Sequence, residues 1–417
     1  MVQKANLVSM PTLVESPFII ATIGGHTFGS YISKGVSYDG LHQNVDFPNY
    51  MKSLRIVKVN GTVNTYTLTF SYQVAYGDDP NKLDKIFSKA AVDRRITLSY
   101  GDWNAPNYIY KEETGIITKV TSTLNMSNSS IDYVVSCTSD AIGLTTTKFN
   151  FPAVEIKGSE QILNILSNNR YGFKKVFTGM KNKSNVLSNN LIASNDKKVK
   201  LQAQKSMSAL DYLNYVVSCM EPETVSSGDS LYDSAYYLTI HDDISSTMGG
   251  TYFKVNYVKE SQAAKTSVDT YVLDVNYPSD NFITQFSLTN DQSWAILYKF
   301  SDELQQETIS YRINQDGQLV GYTAPSLIRS SSTGQISPNG RSWWSKMTNF
   351  PIQATLTLKG LTRPSILMSY VKLNVWFHGG QKHISSGLYI ITKQEDLIDS
   401  NGYKTTLTLL RVGGDTL

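Results

Sequence analysis

The residues able to do chemistry in this chain are few. Tyr76-Gly77-Asp78-Asp79 sets two carboxylates side by side at a turn between apolar segments, a pattern that can hold Mg²⁺ through oxygen ligands. Pro80 and an amphipathic stretch follow at once. Asp79 as helix N-cap, with proline at the first helical position, explains the same letters without a metal. His241-Asp242-Asp243 offers imidazole and carboxylate, but it closes a strand-like run and reads as a polar turn. His378 and His383 flank Gly379-Gly380, and no Cys, Asp or Glu completes a zinc set around them. Glu112-Glu113 and Glu395-Asp396 are carboxylate pairs of the type glycosidases use. Adjacent strand residues point to opposite faces, so we read both pairs as solvated surface. Cys137 and Cys219 lie in apolar runs and read as buried thiols. The sequence contains no Gly-x-Ser-x-Gly elbow, no His-Glu-x-x-His and no phosphate-cradling glycine loop. We therefore assign no catalytic, cofactor-binding or metal-ligating residue and expect a protein that is not an enzyme.

The elements around these residues are mostly strands. A chain of 417 residues is too long for one ordinary core. Tyrosine is abundant at 26 residues, which suits half-buried strands and interfaces. The formal net charge is +3, and no segment is strongly basic, so specific nucleic-acid binding is not indicated. Two distant cysteines imply no disulfide framework. The first residues carry no signal-peptide pattern, and no apolar run reaches the length that spans a bilayer.

Along the chain, Tyr66, Leu68, Phe70, Tyr72 and Val74 alternate with polar residues, the mark of a strand with one buried face. Asn60-Gly61 fits a turn before it. Leu83, Ile86, Phe87 and Ala90 form the apolar stripe of a helix. Ser159–Asn168 has helical spacing, and Ser208 with Asp211 reads as the capping box of another helix whose core face is Leu210, Leu213, Val216, Val217 and Met220. Strands are expected at Tyr236–His241, Tyr252–Val258, Tyr271–Val275, Phe282–Leu288, Ala295–Phe300 and Glu307–Asn314, then a Ser/Gly/Pro-rich loop over 324–341 and a docking Trp343-Trp344 pair. Gly387–Ile398 and Tyr403–Val412 flank Asn401-Gly402, a strong hairpin signal. The expected fold class is mainly β with a small α-helical insert, a β-rich α+β chain with two tube-type β-barrel modules related by pseudo-repeat. The expected divisions are an N-terminal tube-type module with one helix at 1–150, a helical insert at 151–228, a central β-rich domain at 229–345 and a C-terminal tube-type module at 346–417.

The pseudo-repeat rests on an echo. Ile-Ile-Thr-Lys occurs at 116–119 and again at 390–393, and a second strand follows each copy. At equal spacing, Tyr133 falls opposite Leu407, 17 positions beyond Ile116 and Ile390 respectively.

Ser386–Val412, with Gly387, Tyr389 and Ile391 before a polar turn and Tyr403, Thr405, Leu407 and Leu409 after it, resembles the C-terminal barrel of tail-hub proteins from contractile phage tails and related injection machines. Leu358–Trp376 is similar to that barrel's opening strands, and Ser99–Ser136 is similar to the other tube-type barrel of such hubs. The resemblance covers residues 50–140 and 350–412 and not the middle. It implies a homotrimer in which two barrels per subunit make a pseudo-sixfold ring. Such a ring joins a hexameric tail tube to a threefold central spike and lines the channel through which DNA would pass. Its implied partners are the tail tube protein, the spike and baseplate wedge proteins, and its implied place is the virion tail baseplate after assembly in the host cytoplasm. The strand residues of the ring would be Ile116, Thr118, Val120, Ile131, Tyr133, Val135, Tyr389, Ile391, Thr405, Leu407 and Leu409. Two other readings stay open: a tail-associated cell-wall hydrolase using carboxylates, and a host-surface glycan-binding protein using the tyrosine-rich centre.

Overall fold

A computed structural model describes residues 17–31, 45–93, 95–102, 111–173, 196–220, 234–244, 250–259, 269–274, 276, 283–290, 312–313, 319–320, 352–360 and 367–413. The expected strand at Ala295–Phe300, the loop at 324–341 and the Trp343-Trp344 pair lie outside them.

The first module comprises β1 (Pro17–Ile23), β2 (His26–Tyr31), β3 (Phe47–Pro48), β4 (Met51–Val59), β5 (Thr65–Gln73), α1 (Lys82–Asp93), β6 (Arg95–Asp102), β7 (Lys111–Asn125) and β8 (Ser130–Thr138). Alternation in β5 buries Tyr66, Leu68, Phe70 and Tyr72 on one face. α1 lays Leu83, Ile86 and Phe87 on that face. Phe87 meets Phe70 and Tyr133 at ring centroid distances of 5.4 and 5.3 Å, and Phe28 stacks on Phe47 at 4.8 Å. These are edge and offset contacts that aromatic cores favour. Before α1, Asp79 accepts the Asn81 N–H at 2.9 Å and holds the Lys85 ammonium at 2.6 Å. Its carboxylate is a capping group just outside the first turn.

The insert follows with α2 (Gly143–Thr146), β9 (Lys148–Phe151), β10 (Val154–Lys157), α3 (Gly158–Ser167), β11 (Lys198–Leu201), β12 (Gln204–Ser208) and α4 (Ala209–Cys219). Ser208 Oγ accepts the Asp211 N–H at 3.1 Å and donates to the Asp211 carboxylate at 2.6 Å, the capping box read from sequence. Leu210, Leu213, Val216, Val217 and Met220 are buried as expected. The hairpin β13 (Ser234–His241) and β14 (Tyr252–Lys259) packs Leu238, Ile240, Phe253 and Val255 into the same core.

The last strands are β15 (Asp269–Asp274), β16 (Ile283–Asn290), β17 (Arg312–Ile313), β18 (Leu319–Val320), β19 (Ile352–Lys359), β20 (Tyr370–Phe377), β21 (Gln381–Lys382), β22 (Gly387–Asp399) and β23 (Gly402–Gly413). β15 and β16, from the span read as central, join the sheet of the C-terminal module.

One 15-stranded sheet unites both ends of the chain, running β16-β19-β23-β22-β4-β5-β8-β7-β6-β1-β2-β3 with β15, β20 and β21 branching at β22. The chain is mostly strand with few helices, as the composition led us to expect.

Candidate functional site

The sheet contains the same five strands twice. β4-β5-β8-β7-β6 and β16-β19-β23-β22-β20 have identical order and antiparallel sense. Their registers agree as well. Leu68 lies between Leu54 and Val135, and Leu356 lies between Phe286 and Leu407. Both copies bulge at the threonine of Ile-Ile-Thr-Lys, where a register shift falls between Ile117 and Lys119 and again between Ile391 and Lys393. Both threonines use the bulge alike: Thr118 Oγ1 donates to the Ser136 carbonyl at 3.0 Å, and Thr392 Oγ1 donates to the Thr408 carbonyl at 3.2 Å. β4 and β16 also bulge at matching places, after Met51 and after Ile283.

This register amends the equal-spacing echo. The counterpart of Leu407 is Val135, two residues beyond Tyr133. The cause is the connection: four residues separate Asn125 from its partner Ser130, and two separate Asp399 from Gly402. A shift of two keeps every side chain on its face, so the hydrophobic pattern survives the difference.

The two copies join at a seam where β22 pairs with β4, from Lys393 opposite Val59 to Ile398 opposite Leu54. Ile398 and Tyr403 are members of the N-terminal core, so the tip of the C-terminal hairpin is built into the first module. Arg55 Nη2 meets the Glu395 carboxylate at 2.7 Å on the outer face, and Lys393 lies 3.4 Å from the same group.

Under the seam lies a buried polar cluster. Lys58 and Glu113 form an ion pair with both side chains about 3% exposed. Tyr100 donates to Glu113 at 2.7 Å. Asp242 accepts from Ser139, Thr251, Asn64 and Tyr66 at 2.6, 2.6, 2.7 and 2.9 Å. Asp396 accepts from Thr405 and Gln394, each at 2.6 Å. Burial alone would lower the Lys58 pKa, but Glu113 foremost, then Asp396 and Asp242, hold it above the ordinary lysine value. Burial raises Asp242 despite its four donors. Burial, and then the positive charge of Lys58 and Lys254, lowers His241 to about 3, so it is neutral. Its Nε2 lies 2.8 Å from Thr239 Oγ1. The cluster ties β4, β7, β13 and β22 together, and every charge in it has a partner, the condition for burying charge at tolerable cost.

Three expectations are corrected here. Glu113 and Asp396 are buried, whereas we read their pairs as surface, and Asp242 is the centre of a network rather than a turn residue. Opposite-face geometry does hold, since Glu395 is on the outer face while Asp396 is inside. His378 and His383 do not converge on a shared ligand: His378 Nδ1 is 2.7 Å from Asn276 Oδ1, and His383 Nδ1 is 2.7 Å from Ser385 Oγ. Cys137 and Cys219 are buried thiols that form no disulfide. No group of three or more His, Cys, Asp or Glu among the described residues is arranged to hold a metal.

All eleven strand residues singled out from sequence lie in the repeated hairpins β7-β8 and β22-β23. Ile131, Tyr133, Val135, Tyr389, Ile391, Thr405, Leu407 and Leu409 are buried and fill the module cores. Ile116 is half-buried, and Thr118 and Val120 are exposed. These last two begin an unpaired flank. β6 covers β7 only as far as Ile116, and beyond it β7 has β8 on one side and no strand on the other among the described residues.

No family model matches the chain, and no curated protein matches it by sequence. Solved structures do. The 43 kDa tail protein of prophage MuSo2 from Shewanella oneidensis superposes with a TM-score of 0.50 at 11% identity, over 95% of this chain and 99% of that one. The fold is shared with a phage tail protein. A tail protein from Neisseria meningitidis MC58 gives 0.49 at 10% identity, covering 95% and 97% of the two chains. A component of the type VI secretion system from E. coli gives 0.45 at 9%, covering 87% and 75%. No helix among the described residues is long and apolar enough to cross a membrane.

Proposed function

We propose that this protein is a structural hub of a phage tail baseplate, a homotrimer whose two tube-type modules per copy make a pseudo-sixfold ring. The observation that carries the reading is the five-stranded repeat with matched registers and bulges. One chain holds two units of nearly the same shape side by side in one sheet. Three such chains present six units to a hexameric tube and three whole subunits to a threefold spike. Closing a sheet into a ring also removes the open edges that would otherwise recruit other strands. The fold shared with the Shewanella oneidensis prophage tail protein supports a tail component as the class.

The face of the sheet turned away from the module cores fits a channel lining. It carries Thr67, Thr69 and Ser71 on β5, Ser136 on β8, Thr355 and Thr357 on β19, and Thr406 and Thr408 on β23, all half-buried. Small hydroxylated side chains give this wall a wetted surface, interrupted by Val57, Val134 and Leu397 on the same face. On this reading the tail tube, the spike and baseplate wedge proteins are the partners, the virion baseplate is the location, and the carboxylates at the seam are structural rather than catalytic. Native mass spectrometry and electron microscopy of the purified chain, alone and with its tube protein, test it. Trimers with a sixfold-like rim are expected; a monomer at every concentration and no ring in the presence of tube protein would refute it.

A further inference from the structure

The seam inside the chain is a template for covering two edges that no described strand covers, the outer flanks of β7 and β16. We propose that β7, over residues 119–124, pairs antiparallel with β16 of a second copy, in the register that β22 and β4 use within one chain. This rests on the ring reading and specifies the strands that would make the ring.

Four observations converge on it. First, β7 corresponds to β22 and β16 corresponds to β4 in the repeat, so the unpaired strands are the counterparts of the paired ones. Second, the open flank is the right flank. β20 leaves β22 at Ile390 and β4 takes over from Lys393, while β6 leaves β7 at Ile116 and no strand among the described residues takes over from Lys119. Third, exposure differs as an uncovered seam requires. Gln394, Asp396 and Ile398 are 1%, 0% and 0% exposed, yet of their counterparts Val120 is 37% and Leu124 68% exposed, and Ser122 is exposed too. Leu54 and Ile56 are fully buried, whereas their counterparts Phe286 and Leu288 are only partly so. Fourth, β16 carries no charge, and β7 beyond the bulge carries only Lys119. A long uncharged edge bearing exposed apolar side chains is what soluble proteins avoid unless it is covered.

Transferring the register gives definite neighbours. Leu124 faces the partner's Phe286, as Ile398 faces Leu54. Ser122 faces the partner's Leu288, and Val120 faces the partner's Asn290. Of the inner seam's charges on β22 and β4, Lys393 keeps a counterpart in Lys119, but the ion pair does not: Thr121 and Ser287 stand where Glu395 and Arg55 meet. The seam between copies therefore lacks the inner ion pair and carries Lys119 as its one charge among the described residues. Each copy offers one edge of each kind, a head-to-tail contact that generates a closed ring when the rotation closes.

The test uses the full chain with Leu124→Cys and Phe286→Cys together. Residues directly opposite on antiparallel strands have Cα atoms within disulfide range, and the native cysteines are buried. Mild oxidation followed by non-reducing denaturing electrophoresis should give covalent dimers and trimers from the double variant and none from either single variant. Separately, Val120→Asp with Leu124→Asp should weaken trimerisation at least tenfold by native mass spectrometry while leaving the thermal unfolding of the monomer unchanged, since both sites are exposed. A wild-type trimer whose double-cysteine form does not cross-link, or that survives both aspartates, overturns the strand assignment and leaves the ring intact. A wild-type chain that stays monomeric overturns the ring, and this pairing with it.

Discussion

Lys58 and Glu113 show the cost of a charge placed beneath a sheet. Removing one partner leaves the other buried and alone, which typically costs about 3–5 kcal/mol. Lys58→Met should lower stability by about that much in urea unfolding, and Lys58→Met with Glu113→Leu should recover a large part of it. His241 gives a pH signature. The unfolded chain binds its proton near the ordinary histidine value, while the folded chain binds it only at about 3. Its stabilising contribution is thus present above about pH 6.5 and is lost as pH falls toward 3, at up to about 1.4 kcal/mol per pH unit. His241→Gln should flatten the loss of melting temperature between pH 7 and pH 4 relative to wild type. None of this chemistry was legible in the sequence. Glu113 and Asp396 look like any strand carboxylates, because the Lys58 that balances Glu113 is 55 residues away and the pairing of β22 with β4 that buries Asp396 joins opposite ends of the chain. Asp242 was visible only as the end of a strand, and its four donors come from three separate segments.

At the scale of elements, local signals were readable wherever one strand or helix explains itself. The alternation in β5, the stripe on α1 and the capping box of α4 follow from nearest neighbours in sequence. Ser208→Ala should therefore cost about 1 kcal/mol, measured by chemical denaturation. Gly61 is a turn residue whose reason is tertiary. It has φ +71°, its N–H donates to the Leu238 carbonyl at 2.7 Å, and an added Cβ would lie 2.7 Å from Asn214 Oδ1. Gly61→Ala should destabilise by about 1–2 kcal/mol from the backbone alone, and the loss should shrink when Asn214→Ala is added. The repeat was legible through four letters because they encode the bulge. Ile-Ile sets the paired strand, and the threonine supplies a hydroxyl for the displaced carbonyl. The two-residue offset beyond it was hidden, since turn length is free to vary while the faces of the strands are not.

At the scale of the molecule, the two ends of the chain cannot be treated as separate domains. Ile398 and Tyr403 complete the first module's core, and β22 covers the edge of β4. Ending the chain before Gly387 should therefore expose Leu54 and Ile56 and yield soluble aggregates rather than a folded monomer, as size-exclusion chromatography would show. Sequence reading placed strands at both ends but could not pair them, because contacts over more than 300 residues leave no periodic trace. It also placed β15 and β16 in the middle of the chain, where their adjacency to the last strands is invisible. The unequal hairpins have one more consequence. The β7-β8 turn is two residues longer than the β22-β23 turn and carries the exposed Met126 at its tip. Around a crown of three copies, long and short points would alternate. A protein docking on that rim would meet three raised apolar studs in place of six equal ones, so the step from sixfold to threefold would already be written in the length of a turn.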